Sequence, residues 1–346
     1  MSAEPIATER ERESKEPNDN SLGFAKPASI KPSCFAGFIK FAICYAKTRY
    51  IFAIIYAVIG YALTKKISDR AAKYFYTLYG NLINRVFAQK YHKIDSYNNG
   101  YFDICGAKLP EINSDDLVML SRGVFYDTFL VLCRFNDNYS KTNIEWIERY
   151  IGGEGAYGYK DGNFDVTVKA GDTVIDAGAW IGDFAAYAAS KGAKSYAFEP
   201  TSASYAILQK TAALNDNKII PIQKGLGDRE CELLISLNEQ NSGANSILNV
   251  QNANTETISI TSLDRFVEEN HIDRIDFIKA DIEGAERDML KGARSVLATH
   301  APKLAICTYH LPDDPQVLEE IILSANPNYR VIHLRKKLFA CVADRR

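Results

Sequence analysis

An α/β fold built on an open, mostly parallel sheet, preceded by a mostly helical extension, is what this 346-residue sequence predicts. Three observations lead there. From Gly171 onward, apolar runs near residues 173, 195, 218, 275, 303 and 330 alternate with helix-length segments, the rhythm of βαβ units. The run Thr173 to Ile175 is followed by a glycine-bearing turn and an Ala-rich stretch. Two of the strand candidates end in an acidic residue, at the edge where open α/β sheets bind ligands.

Composition sets the frame. With 47% hydrophobic and 24% charged residues the chain is globular with ample core, and its net charge of −2 gives no overall footprint for nucleic acid. The seven cysteines form no C-x-x-C pair, so they read as small core residues in a reducing compartment. The five histidines show no metal-ligand spacing, so no zinc site is expected and no metal ligands are assigned.

Residues 1–31 are polar and almost free of large apolar side chains; they predict a disordered tail without a secretory h-region. Residues 32–150 form a second block, mostly helical with a small hairpin, on the acceptor side of the core or at a membrane surface. Within it, residues 34–73 carry seven basic residues (Lys40, Lys47, Arg49, Lys65, Lys66, Arg70, Lys73) against Asp69. The uncharged run Tyr50 to Thr64 would reach about 22 Å as a helix, short of a ~30 Å hydrocarbon core. Two readings stay open: a helical hairpin packed on the domain or on a partner, and peripheral docking on an anionic membrane surface. The protein is accordingly expected in the cytoplasm, at the inner membrane face if this segment docks. A hairpin is predicted around Tyr101 to Glu111, turning at Gly106, and a further helix from Asn143 to Ile151. The oligomeric state is unreadable.

Residues 151–346 form the main domain. Thr173 to Ile175 reads as a buried parallel strand with Asp176 at its carboxyl end. Gly178, Ala179 and Gly182 make the turn, Asp183 is placed to cap the next helix, and Gly192 suits its C′ position. A second strand, Ser195 to Phe198, ends in Glu199-Pro200. The turn lacks the middle glycine of G-x-G-x-x-G and carries Trp180, and Asp176 would repel a diphosphate. The same carboxylate would attract an ammonium and a sulfonium, which describes S-adenosylmethionine (SAM). Glu199, 21 residues after Gly178, is placed to accept bonds from ribose hydroxyls. Asp228 ends the third strand region, near the adenine amine or merely in a turn. A polar loop from Asn238 to Asn254 separates two extra strands. An NAD-dependent enzyme using the same βαβ unit, and a non-catalytic scaffold, are the competing readings.

Further on, Asp276 to Arg294 is a strand entering a helix, with Asp281 at the strand end and Glu283 just past it. Taken with "DAGAWIGDF", "AFEP", "SLDRF", "DFIKADIEGAE" and "TYH", in that order, the chain resembles the FkbM family of SAM-dependent methyltransferases over roughly residues 155–342. "YFDICGAKLPEI" and "EGAYGY" upstream look similar too. The resemblance implies a Rossmann-like class I methyltransferase sheet and O-methylation of a carbohydrate, glycolipid or other small acceptor.

A hydroxyl acceptor needs a base. His310, at the tip of the strand Leu304 to Tyr309, is ranked first as a neutral imidazole, with Asp281 and Glu283 as the other catalytic candidates. Lys279 shares a strand face with Asp281 and is expected to pair with it. Glu286 is expected to act through the helix dipole alone. Asp281 offers one oxygen ligand to a divalent ion, but no second or third ligand is legible.

Overall fold

The computed structural model describes residues 94–98, 101–104, 106–110, 141, 156–237, 245 and 254–343, all within the compact unit from Ile55 to Arg346. The expectations for residues 1–31, 34–73 and 143–151, and for most of the loop 238–254, lie outside the described residues.

In chain order the elements are strands β1 (Ile94–Asn98), β2 (Tyr101–Ile104), β3 (Ala107–Pro110), β4 (Tyr159–Asp161), β5 (Phe164–Val166) and β6 (Thr173–Ala177). Helix α1 (Asp183–Ser190), β7 (Lys194–Phe198), α2 (Ser202–Leu214), β8 (Ile219–Ile222), β9 (Gly225–Leu226), β10 (Cys231–Ser236) and β11 (Thr255–Thr261) follow. Then come α3 (Leu263–Glu269), β12 (Phe277–Ala280), α4 (Glu286–Lys291), α5 (Arg294–Thr299), β13 (Lys303–Cys307), α6 (Asp314–Ala325), β14 (Tyr329–His333) and β15 (Lys337–Val342).

Seven strands form the main sheet in the order β14-β15-β13-β12-β6-β7-β8. β6, β7, β8, β12 and β13 are parallel, while β15 inserts antiparallel between β13 and β14. Counting the main-sheet strands along the chain as 1 to 7, the order is 3-2-1-4-5-7-6, the Rossmann-like class I methyltransferase arrangement. The chain reverses its direction across the sheet between β6 and β12, and this switch point is where such sheets open a crevice for ligands.

Both faces of the sheet are covered, which is why its central strands read as continuous apolar runs. One core layer joins Phe184, Ala185, Ile207 and Leu208 of α1 and α2 to Val174 and Phe277. The other joins Leu263, Met289, Leu297, Leu318 and Ile322 of α3 to α6 to Ile175, Ile278 and Leu304. The hairpin β2–β3 turns at Gly106, whose φ of 84° needs no Cβ. It is seated on the C-terminal end of α2: Asn215 Oδ1 accepts from Lys108 N at 3.0 Å, and Asn215 Nδ2 donates to Lys108 O at 2.7 Å. Helix α1 starts one residue earlier than its capping signal suggested. Gly182, in the left-handed conformation, is the N-cap, and Asp183 is the first helical residue. The extra strands β10 and β11 pair antiparallel and, with β9, form a separate small sheet.

Candidate active site

The parallel strands deliver their carboxyl ends to one edge, and the predicted site residues gather there, in two groups. The first surrounds the turn after β6. Asp176 is fully buried, and its Oδ1 lies 3.1 Å from Lys279 Nζ, which is itself 2% exposed. Lys279 also donates to the carbonyls of Ala177 at 3.2 Å and Gly178 at 2.6 Å. Asp176 thus has an internal cationic partner that the sequence reading did not assign to it. One expectation is corrected here. The ion pair of Lys279 is with Asp176 across the β6–β12 register, where the two residues stand side by side, and not with Asp281.

The turn itself is held by the protein's own packing. Gly178 and Ala179 both donate their N–H to Phe198 O, at 3.1 and 2.8 Å. A Cβ on Gly178 would stand 2.0 Å from the Asp281 carbonyl oxygen, so β6 and β12 can leave the sheet side by side only with glycine here.

Glu199 closes this group at the tip of β7. Its Oε1 accepts from Thr201 N at 2.9 Å and Thr201 Oγ1 at 2.5 Å, and its Oε2 accepts from Trp180 N at 3.0 Å. Burial pushes this carboxyl up to about 7, against the opposing pull of those donors. A carboxylate has about four acceptor sites. With three donors in place, Oε2 keeps one direction for a hydroxyl, and in this respect the residues fit a ribose. Pro200 leads from Glu199 into Thr201, the N-cap of α2. Asp228 is elsewhere: it follows β9 in the small sheet, is exposed, and pairs with its neighbour Arg229 at 3.2 Å. It stands in an exposed turn outside the main sheet, whose third strand is β8 and not β9.

The second group sits at the tips of β12 and β13. Asp281 Oδ2 accepts from Tyr157 OH at 2.7 Å and Oδ1 from Tyr309 OH at 3.1 Å. Glu283 follows in the left-handed region, φ 53°, which costs a non-glycine residue of order 1 kcal/mol and directs its carboxylate back toward β13. His310 stands against both: Nε2 is 3.7 Å from Asp281 Oδ1 and 3.7 Å from Glu283 Oε2, while Nδ1 is 3.0 Å from Glu286 Oε1. Only 6% of its side chain is exposed. Glu286 does more than complement a dipole. Its oxygens accept from Ile282 N at 2.9 Å and Gly284 N at 3.1 Å, bracing the loop that carries Glu283.

These neighbours reverse the expected state of His310. Burial pulls an imidazole down, but Glu283, Glu286 and Asp281 outweigh it and lift His310 to about 10. It therefore carries a proton near neutrality in this arrangement, and its assignment as a neutral base is corrected.

Tyr157 and Tyr309 escaped the assignment of roles, although both lie in segments that carry the family likeness. Their tyrosine-plus-glycine or tyrosine-plus-histidine context was the available signal. Lys337 carried no signal. It is fully buried at the start of β15, 4.6 Å over the Tyr157 ring, with Lys279 at 5.3 Å from the same ring.

Residues 176–334 match the family profile described as the methyltransferase FkbM domain. The hexuronic acid methyltransferase AglP of Haloferax volcanii is 26% identical over 165 residues, covering 48% of this chain and 67% of that protein. Methyltransferase 1 of Beauveria bassiana is 27% identical over 178 residues, covering 44% and 68%. The crystal structure of a methyltransferase FkbM from Methylobacillus flagellatus is 26% identical with a TM-score of 0.39; the match covers 49% of this chain and 43% of that one. Residues 176–334 thus form a methyltransferase FkbM domain, and its cofactor is SAM. The NAD-dependent alternative falls with that assignment.

Proposed function

We propose that the domain methylates a hydroxyl group on a carbohydrate or carbohydrate-bearing acceptor, with Asp281 and Glu283 handling that hydroxyl. The observation that carries the proposal is the Asp281–Glu283–His310 cluster at the switch point of the sheet, one strand away from the turn after β6. The name of the Haloferax relative, a hexuronic acid methyltransferase, supports a sugar acceptor.

When bound, SAM supplies an electrophilic methyl carbon. Glu199 holds the ribose through the remaining direction on Oε2, beside the turn of Gly178, Ala179 and Gly182. Asp281, fixed by two tyrosine hydroxyls, orients the acceptor oxygen, and its charge offsets that of the sulfonium. Glu283 takes the proton; at 27% side-chain exposure it is the most accessible member of the cluster. His310, charged between the carboxylates, keeps Asp281 and Glu283 from repelling each other apart. In-line displacement gains mostly from this alignment and from exclusion of water.

The test uses SAM carrying a labelled methyl group, the full-length protein, and a panel of uronic-acid-bearing and neutral glycans. Label appearing on oxygen of a glycan supports the proposal. Turnover confined to nitrogen or to non-carbohydrate acceptors removes it. The scaffold reading would predict SAM binding with no transfer to any component of a cell lysate. Residues 34–73 enter the proposal only as a docking segment for anionic membranes, tested by salt-sensitive flotation with vesicles containing phosphatidylserine.

A further inference from the structure

The cluster of Asp281, Glu283 and His310 has the makings of a cation site, and three features of its geometry converge on that. First, one ligand atom from each residue lies within 4.8 Å of the others. Second, the 3.7 Å separations from Nε2 to Asp281 Oδ1 and Glu283 Oε2 are too long for hydrogen bonds. They suit donors that share one ion at the usual ~2.0–2.2 Å from each. Third, Nε2 is a buried polar atom without a hydrogen-bond partner among the described residues, on a side chain more than nine-tenths buried and aimed between the two carboxylates.

The surroundings are those of a built site. A metal-bound histidine presents its other nitrogen to a carboxylate that fixes ring orientation and tautomer. Glu286 occupies that place, 3.0 Å from Nδ1, and is itself anchored by two backbone N–H groups. Asp281 is likewise held by Tyr157 and Tyr309. Glu283, on left-handed backbone, brings its Oε2 to within 3.7 Å of the same nitrogen. Three carboxylates facing one imidazole leave an excess of negative charge that a divalent ion would balance.

We propose that Asp281, Glu283 and Nε2 of His310 bind a divalent cation of the manganese or zinc class, with Glu286 orienting the histidine. Two carboxylate oxygens and one imidazole nitrogen suit such ions, and three protein ligands leave positions open for water or an acceptor oxygen. Entry of the ion displaces the proton from His310. The inference rests on the methyl-transfer reading for its use: an acceptor hydroxyl reaching the ion becomes more acidic, and its proton passes to Glu283 Oε1 while Oε2 stays on the metal.

The test begins with full-length protein stripped by chelator and titrated with Mn²⁺, following loss of the free-ion electron paramagnetic resonance signal. One ion per chain is expected to bind, with His310→Gln and Glu283→Gln abolishing binding and Glu286→Gln weakening it by about 10–100-fold. Calorimetry with SAM on the same variants shows whether they are folded. No depletion of the Mn²⁺ signal, or binding retained in folded His310→Gln, overturns the site. Methyl transfer that proceeds unchanged in chelator overturns it as a catalytic device while leaving the methyltransferase reading intact. Mn²⁺ bound as described with no transfer to any acceptor supports the site and removes the reading it serves.

Discussion

Glu199 shows how a single residue's setting becomes a measurable property. Unfolded, its carboxyl releases a proton near the ordinary glutamate value; folded, it holds the proton up to about 7. Between those values the folded state binds more protons, so this residue makes stability fall as pH rises from about 4.5 to 7. Thermal melts of the apo protein across that range should show this decline, and Glu199→Gln should flatten it. SAM favours the ionised form through its hydroxyl donors, so its affinity should rise over the same interval. Glu199→Ala should weaken SAM by ~1.5–3 kcal/mol, the range for bonds to charged groups, in calorimetry at neutral pH. Glu283→Gln is expected to cut turnover by ~10²–10⁴ while SAM affinity stays within a few fold, because it removes the proton acceptor and leaves the ribose contacts alone. Retention of most activity would transfer that role to Asp281. Residues at strand ends were legible because the carboxyl edge of an open α/β sheet is where acidic side chains meet ligands. Their partners were not. Lys279 lies equally well placed for Asp176 and Asp281 along the sequence, and only the lateral register of β6 against β12 decides between them. His310 looked like a base because an imidazole at a strand tip ordinarily titrates near neutrality; the three carboxylates around it come from the β12–α4 segment more than twenty residues upstream.

At the scale of elements, the β6–β12 junction is the structural heart of the site. Lys279→Met would leave Asp176 buried without its cation, and one-sided loss of a buried pair costs about 3–5 kcal/mol. Chemical denaturation should show that loss, with the double variant Asp176→Asn, Lys279→Met recovering much of it. Gly178→Ala should be costly for two reasons: its φ of 73° costs an L-residue about 1–2 kcal/mol, and the added methyl meets the Asp281 carbonyl. The parallel strands were readable from their unbroken apolar runs, since a sheet covered on both faces needs no alternation. The strand ahead of Asp228 was misplaced at this scale. Gly225 and Leu226 look like the end of β8, yet they pair with β11, and a two-residue strand carries no period by which to recognise its sheet.

The molecule as a whole presents a methyltransferase domain whose fold class and cofactor could be read ahead of the structure from five short motifs. Its acceptor could not, because composition and motif spacing say little about the shape of an acceptor pocket. Among the described residues no helix is long and apolar enough to cross a membrane; the uncharged run from Tyr50 to Thr64 lies outside them. Transfer of a methyl group from SAM to a sugar-type oxygen is the activity proposed. It is tested most directly by incubating the full-length protein with ¹³C-methyl SAM and glycans from the native cell. Nuclear magnetic resonance then shows which atom carries the label. An oxygen-bound methyl on a sugar, absent with Glu283→Gln, is the predicted result. Label on nitrogen, or SAM bound and left unconsumed with every acceptor offered, would contradict it.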